Sequence, residues 1–302
     1  MHVANKGLTV AILLGVMVCA GAGTSAREPL RLAQSDEPDV SLTGNPSTAP
    51  LKWVGLLENF VDKDHAILCT AQFIAPRVLM TAAHCVQNRD SGSFYNIDKM
   101  YFFLQFQNHE YSQLYRPVCY ARYDGWYPSR KGVQTADEKR AAIAASWQWD
   151  YALILVDGDS KTGHFGWKMD WKGSYATATT IGYPAAILSG DIIQKASGDL
   201  FFPAPGNRDM TNVVAMMHGA PNMTQGTSGG AWIANPSKNP EEPNSDILIG
   251  VNSYVMPAFP GVSFGPYLTA DFTRLLEFVS NGCRQGTDWL RSLGSPHGGS
   301  TK

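Results

Sequence analysis

The stretch QGTSGGAW, residues 225–232, places one serine inside a run of glycines, directly before an apolar strand pattern. Glycine adopts positive φ and lets the backbone approach another group without a Cβ in between. The amides of Gly226 and Ser228 are then free to point at one oxygen, as acyl-transfer chemistry requires. Ser228 is therefore a candidate nucleophile, and the competing interpretation is that this loop is only a turn.

A candidate general base lies in TAAHC, residues 81–85, where two alanines allow close packing as a strand bends into a turn. A histidine held there has the fixed ring orientation that a general base needs. The alternative is a core histidine with internally satisfied hydrogen bonds. Cys69 lies 16 positions before Cys85 on the preceding strand of a predicted hairpin. A disulfide between them would fix His84 and contribute about 3 kcal/mol to stability.

A third polar residue, Asp150, stands at the head of the apolar run YALILV, residues 151–156. A carboxylate at the start of a buried strand needs a partner, because burying an unpaired charge is costly. A histidine N–H is a suitable donor. The competing interpretation is an aspartate that only forms the turn before the strand.

The composition is that of an ordinary globular protein, with 44% hydrophobic residues, 17% charged residues and a formal net charge of −2 over 302 residues. No lysine- or arginine-rich run occurs, so we expect no nucleic acid as a partner. Residues 1–26 contain Lys6, an apolar run too short to span a bilayer, and then small residues, which predicts a cleavable secretory signal. Cys19 offers a lipid-anchor alternative, which the bulky Val18 before it disfavours. We expect a secreted or periplasmic monomer without stable membrane insertion.

Removal of the signal leaves four cysteines, an even number that predicts two disulfides with three possible connectivities. If Cys69 pairs with Cys85, then Cys119 and Cys283 pair by elimination. Neither C-x-x-C nor H-E-x-x-H occurs. Zinc chemistry therefore has no support, and we expect neither a metal nor a cofactor.

About a dozen short apolar runs, divided by a turn at residues 157–160, predict an all-β protein of two antiparallel barrels or sandwiches. A capping box at residues 135–138 predicts a short helix in the loop 124–148. Apolar residues at helical spacing after Asp271 predict an amphipathic C-terminal helix. We expect the following division of the chain: a signal peptide (1–26), a pro-segment or flexible linker (27–50), an N-terminal barrel (51–160), a C-terminal barrel with the helix (161–283) and a disordered tail (284–302).

In order along the chain, TAAHC, DYAL and GTSGG resemble the motifs of the chymotrypsin/trypsin-like serine peptidases, especially their secreted bacterial V8-like, glutamyl-endopeptidase-like branch. The match extends from about Lys52 to Val279. The resemblance implies two six-stranded antiparallel β-barrels with the active site between them. It also implies a serine endopeptidase that hydrolyses protein or peptide substrates through an acyl-enzyme. Ser228 would be the nucleophile, His84 the proton carrier and Asp150 the residue that orients the ring, with the Gly226 and Ser228 amides as the oxyanion hole.

The resemblance further implies a substrate pocket formed by Asn222, Met223, Ser253, Tyr254, Val255 and Gly265. Residues 253–255 would form the edge strand that pairs with the substrate backbone. Asn222 stands where trypsin-like enzymes have an acidic pocket floor. Asn252 and Met223 stand where glutamate-specific relatives have a histidine and a small hydroxyl residue. The expected pocket therefore accepts a neutral side chain. His218 could line this pocket, but a histidine in an exposed loop is the favoured interpretation.

Three alternatives bear on this interpretation. Thr227 replaces the aspartate that animal zymogens pair with a new amino terminus, so activation by trimming the pro-segment stays open. An α/β-hydrolase needs its acid and then its histidine after the serine, but the only histidine after Ser228 is His297. It also needs a helix directly after the serine, whereas residues 231–234 continue as a predicted strand. A catalytically silent homologue that acts as an adhesin or binding module is the alternative function.

Overall fold

The described part of the chain forms two curled β-sheets and two α-helices in the computed structural model. The structure describes residues 42–62, 65–89, 91–126, 135–202, 212–234 and 246–284. The expected signal peptide, the first part of the expected linker (27–41) and all but one residue of the expected tail (285–302) lie outside the described residues.

Sixteen strands alternate with turns along the described chain, as the short apolar runs of the sequence predict. In chain order they are β1 (Leu42–Thr43), β2 (Val54–Phe60), β3 (Ala66–Ala75), β4 (Val78–Thr81), β5 (Met100–Leu104), β6 (Gln113–Tyr115), β7 (Pro117–Arg122), β8 (Ala152–Val156), β9 (Gly166–Trp167), β10 (Thr177–Gly182), β11 (Gln194–Phe201), β12 (Val213–Met217), β13 (Ala231–Ala234), β14 (Ile247–Val251), β15 (Tyr254–Val255) and β16 (Val262–Pro266).

The first sheet has seven strands in the spatial order β6-β5-β2-β3-β4-β8-β7. The second has nine: eight in the order β15-β16-β12-β11-β10-β13-β14-β9, and β1, which pairs with β11. All neighbouring strands are antiparallel except β14 and β9. The fold class is therefore confirmed. The sheets have seven and nine strands rather than six each, because strands of two or three residues join their edges.

The main core lies between the two sheets and includes Leu56 and Leu153 from the first and Ile181 and Ile233 from the second. Burying such side chains removes apolar surface from water, which is the dominant favourable term in folding. Because one core joins both sheets, the loops at their junction are held in fixed positions. The proposed active site lies among these loops.

The predicted helices are both present. Helix α1 (Ala136–Ser146) begins with the capping box, in which Thr135 Oγ1 accepts from the Glu138 amide and Glu138 Oε2 accepts from the Thr135 amide. Helix α2 (Asp271–Ser280) buries one apolar face, formed by Phe272, Leu275, Phe278 and Val279. Neither helix, nor any other within the described ranges, has the length and apolar character that crossing a bilayer requires.

Both expected disulfides are formed. Cys69 in β3 bonds to Cys85, just after His84, and Cys119 in β7 bonds to Cys283, just after α2. The first fixes the turn that follows β4. The second links the C-terminal helix to the first sheet.

Candidate active site

His84 and Asp150 lie side by side at one end of the first sheet. Strand β4 ends at Thr81 and β8 begins at Ala152, and these two residues are paired across the sheet. The strand pairing therefore brings together two residues that are 66 positions apart in the chain. The His84 amide donates to Asp150 Oδ1 at 3.0 Å, and His84 Nδ1 lies 2.8 Å from Asp150 Oδ2.

The Asp150 carboxylate is completely buried, whereas the His84 side chain is 26% exposed. A third donor, Ser253 Oγ, lies 2.5 Å from Asp150 Oδ2. A carboxylate accepts hydrogen bonds only, so its contact with Nδ1 places the hydrogen of the neutral ring on that atom. Nε2 is then the ring nitrogen that can accept a proton.

Ser228 approaches this pair from the second sheet. Its carbonyl oxygen accepts from the Thr70 amide of β3 at 2.8 Å. The same oxygen lies 3.8 Å from Cys85 Sγ, in the residue that follows His84. The structure therefore brings the predicted nucleophile beside the turn that carries the predicted base, although the two residues lie in loops next to different sheets.

The loop around Ser228 is held through its carbonyl groups. Each carbonyl oxygen from Gln225 to Gly229 accepts at least one hydrogen bond. Three of these oxygens accept from β3: Gly226 O from Thr70 Oγ1 (2.8 Å), Ser228 O from the Thr70 amide (2.8 Å) and Gly229 O from Gln72 Nε2 (3.0 Å). Gln225 O accepts from the Ala185 amide (2.7 Å), and Thr227 O accepts from the Gly230 amide (2.8 Å) and from Asn252 Nδ2 (3.2 Å). Each bond fixes the plane of one peptide group.

The amides of Gly226 and Ser228 donate to no atom of the described residues. In a trans peptide the N–H points away from the preceding carbonyl. The bonds of Gln225 O and Thr227 O therefore also fix the directions of these two N–H groups. Gly226 has φ of +89°, and a Cβ there would lie 2.2 Å from Tyr183 O, so only glycine fits.

A pocket of about 170 Å³ opens beside Ser228. Within the described ranges, no charged side chain lines it. The lining consists of Thr224, Gln225, Thr227, Ser228, Asn252, Ser253, Tyr254, Val255 and Ser263. Of the six predicted pocket residues, Ser253, Tyr254 and Val255 are thus part of the lining.

The other three predicted pocket residues lie outside it. The Asn222 side chain is exposed, and Met223 is only 1% exposed because it packs on Ala196 and Ala220. A Cβ at Gly265 would lie 2.2 Å from Val251 O, so the backbone there packs closely against β14. The turn from Ala220 to Met223 directs Met223 inward, and Thr224 lines the pocket instead.

Asn252 lines the pocket, but its side chain is committed to the protein. Its Oδ1 accepts from Trp232 Nε1 at 2.7 Å, and its Nδ2 donates to Thr180 Oγ1 at 2.7 Å as well as to Thr227 O. The amide therefore fixes the Ser228 loop rather than contacting a ligand.

The expectation that His218 lies in an exposed loop is wrong. Its residue is 4% exposed, because the turn after β12 folds against the loop before β16. Nδ1 accepts from the Ala220 amide at 3.1 Å, and Nε2 lies 2.9 Å from Ser263 Oγ. Burial lowers the pKa of His218 to about 4, so the ring is neutral near pH 7.

Aromatic side chains flank the site on the side of helix α1. The Trp126 ring centroid lies 6.2 Å from that of His84, and the Trp147 centroid lies 4.3 Å from that of Tyr254. The Arg89 guanidinium lies 3.5 Å from the Trp147 centroid, and its Nη2 donates to Ile143 O in α1. The segment after α1 thus packs directly on a residue of the pocket lining.

Among the residues that the structure describes, one cluster of His and Cys side chains has ligand atoms close enough to hold a metal. Its members are Cys69, His84 and Cys85, whose ligand atoms lie within 4.8 Å of one another. Both sulfurs, however, belong to the Cys69–Cys85 disulfide. Disulfide sulfurs are not the thiolates that bind metal ions. This cluster is therefore not a set of metal ligands.

The folded chain is similar to several solved proteases. Protease Anisep from Arthrobacter nicotinovorans has 18% sequence identity and a TM-score of 0.62, over 81% of this chain and 100% of that one. A thermostable serine protease, AL20, from an extremophilic microorganism has 18% identity and a TM-score of 0.57, over 76% and 97%. A Glu endopeptidase has 18% identity and a TM-score of 0.58, over 80% and 97%.

No family model matches the sequence, and no curated protein matches it significantly. At 18% identity, the likeness to solved structures establishes the fold. The chain has the two-barrel, chymotrypsin-like fold of these proteases, as the three motifs predict.

Proposed function

We propose that the protein is a secreted serine endopeptidase in which Ser228, His84 and Asp150 form the catalytic triad. One observation carries the proposal. The buried Asp150 accepts from both the backbone and the ring of His84. Beside the turn that carries His84, the Ser228 loop presents two amides that have no partner among the described residues. The similarity of the fold to solved proteases also supports this proposal.

In the proposed mechanism, Ser228 Oγ attacks the scissile carbonyl carbon while His84 Nε2 takes its proton. The Asp150 carboxylate orients the ring and stabilises the imidazolium that forms. The Gly226 and Ser228 amides donate to the developing oxyanion, which is commonly the largest single contribution to catalysis. His84 then gives its proton to the leaving amine. In the second half, it activates the water that hydrolyses the acyl-enzyme.

The substrate would bind as an extended strand along β15, which lies at one edge of the second sheet. An exposed edge offers unpaired backbone groups to a peptide. The side chain before the scissile bond would enter the pocket beside Ser228. Because no basic side chain lines that pocket within the described residues, the glutamate preference in the name of one structural neighbour has no evident basis here.

Two disulfides agree with export to an oxidising compartment, where such bonds persist. Together with the predicted signal peptide, they support a secreted or periplasmic enzyme. We propose that it acts as a monomer on proteins or peptides.

The test is labelling of the purified protein with a fluorophosphonate probe. We expect labelling of the wild type and of Ser197→Ala, a control whose hydroxyl bonds to Thr179 away from the pocket. Ser228→Ala and His84→Ala should not be labelled. Absence of labelling of correctly folded wild type, before and after removal of the first 50 residues, would contradict the proposal and favour a binding module.

A further inference from the structure

Three of the polar side chains around the pocket already have partners within the protein. Thr227 Oγ1 donates to Thr224 O at 2.6 Å, and Ser253 Oγ donates to Asp150. The Asn252 amide is used in the three bonds described above. These groups shape the pocket without being available to a substrate side chain.

The Ser263 hydroxyl differs from these groups because His218, which contacts it, determines which hydrogen bond the hydroxyl accepts. His218 Nδ1 accepts from the Ala220 amide, so the hydrogen of the neutral ring is on Nε2. Nε2 must then donate to Ser263 Oγ, 2.9 Å away. A hydroxyl that accepts this bond keeps its own hydrogen for another acceptor. No described residue supplies one, and Ser263 lines the pocket.

We infer that His218 and Ser263 are specificity-determining residues, which make the pocket select an uncharged carboxamide side chain, above all glutamine, before the scissile bond. The inference rests on the proposed peptidase function. His218 directs the Ser263 hydroxyl, and the hydroxyl donates to the carbonyl oxygen of the carboxamide.

The chemistry of the lining disfavours the two closest competitors. A methionine side chain is about as long as glutamine but leaves the Ser263 hydrogen without an acceptor, which costs binding energy. A glutamate side chain brings a charge into a pocket where no described residue supplies a cation. Lysine and arginine meet no carboxylate in the lining.

The experiment compares kcat/KM for three peptides that differ only in glutamine, glutamate or methionine before the scissile bond. The wild type should cleave the glutamine peptide roughly tenfold or more faster than the others. In Ser263→Ala, the glutamine-to-methionine ratio should fall by roughly three- to tenfold. Ser263→Thr, which keeps a hydroxyl, should retain more of the ratio.

His218→Phe provides a second variant, because it keeps Ser263 but removes the group that directs its hydroxyl. Its ratio should also fall, whereas Ser197→Ala should keep the wild-type ratio. Preference for glutamate or methionine, or an unchanged ratio in Ser263→Ala, would overturn the inference while leaving the peptidase proposal intact. Labelling of Ser228 without cleavage of the glutamine peptide would also overturn the glutamine inference and leave the peptidase proposal intact. Absence of both labelling and cleavage would overturn the two proposals together.

Discussion

Asn252 Nδ2 donates to the carbonyl oxygen of Thr227, 3.2 Å away, in the peptide group whose N–H belongs to Ser228. Thr227 also donates its own hydroxyl to Thr224 O at 2.6 Å. Both bonds are between neutral groups. Thr227 is thus fixed by hydrogen bonds of uncharged side chains.

The first prediction concerns Asn252. In Asn252→Ala, the Thr227–Ser228 peptide loses a donor that fixes its plane, so we expect kcat to fall roughly tenfold or more, with little change in KM. Steady-state kinetics on a peptide substrate measures this split. Trp232→Phe removes the bond to Asn252 Oδ1 and also leaves a cavity in the core, so it should lower stability without the same loss of kcat. Equal losses of kcat in the two variants would contradict the assignment.

The second prediction concerns Gly226. Alanine at this position would place a Cβ 2.2 Å from Tyr183 O and strain a backbone with φ of +89°. The peptide must shift, so kcat should fall roughly 10²- to 10³-fold. Gly173→Ala is the matched control, because Gly173 has φ of +75° but no atom within 4 Å of the added Cβ. It should cost roughly 1–3 kcal/mol of stability and leave kcat unchanged.

A third prediction follows from the bond between Asp150 and His84. In Asp150→Asn, the amide nitrogen can donate to Nδ1, which moves the ring hydrogen to Nε2. The ring then cannot accept the Ser228 proton, and kcat should fall by roughly 10⁴, the loss that this change causes in a Ser-His-Asp triad. Asp159→Asn, at a 65% exposed side chain, serves as the control and should keep full activity. Activity within tenfold of wild type in Asp150→Asn would refute the role given to this carboxylate.

The fourth prediction is a pH dependence of stability. Burial lowers the pKa of His218 from 6.5 to about 4, so the folded protein binds this proton less readily than the unfolded chain. The stability that comes from keeping His218 neutral in the folded protein is therefore fully present above about pH 6.5. It is lost as the pH falls from 6.5 towards 4, because the unfolded chain then binds the proton first. Its full size is about 3 kcal/mol.

Urea denaturation at pH 7, 5.5 and 4 measures this effect. His218→Phe and His218→Gln lack the titrating ring, so their stability should fall less steeply over this interval than that of wild type. Parallel pH profiles for wild type and both variants would show that His218 is not buried in its neutral form.

The fifth prediction compares the disulfides. In the chain-entropy model, closing 16 residues between Cys69 and Cys85 contributes about 3 kcal/mol, and closing 164 residues between Cys119 and Cys283 contributes about 5 kcal/mol. Replacing both Cys119 and Cys283 by alanine should therefore lower the free energy of unfolding more than replacing both Cys69 and Cys85, as measured by urea denaturation. Removal of Cys69–Cys85 should also lower kcat, because this bond fixes the turn that carries His84. The reverse order of stability would argue against the entropic account.

The positions of the proposed triad can be predicted because each has a local sequence signature. TAAHC, the aspartate before YALILV and the glycine-rich serine loop each combine a chemical group with a strand or turn pattern. The structure brings these three stretches together where β4 ends and where β8 and β13 begin. The strand alternation predicts the fold class in the same way, whereas β1, β9 and β15, with two residues each, are too short to show a period.

The pocket is less predictable because it depends on contacts between distant segments. Ser263 faces the pocket through its register with Met216 and Val255, and no local pattern encodes that register. The MMHGAPN segment, residues 216–222, contains a glycine and a proline and therefore predicts an exposed loop. Its pairing with the loop before β16 buries His218, which only the tertiary structure reveals.

The bond between Cys119 and Cys283 encloses a large part of the chain, including Asp150 and Ser228. A single backbone cut anywhere in this interval produces two fragments that remain covalently joined. An enzyme that digests itself at one such point would therefore still migrate as one species in a denaturing gel without reductant. Only after reduction would the nicked molecules separate into their two pieces.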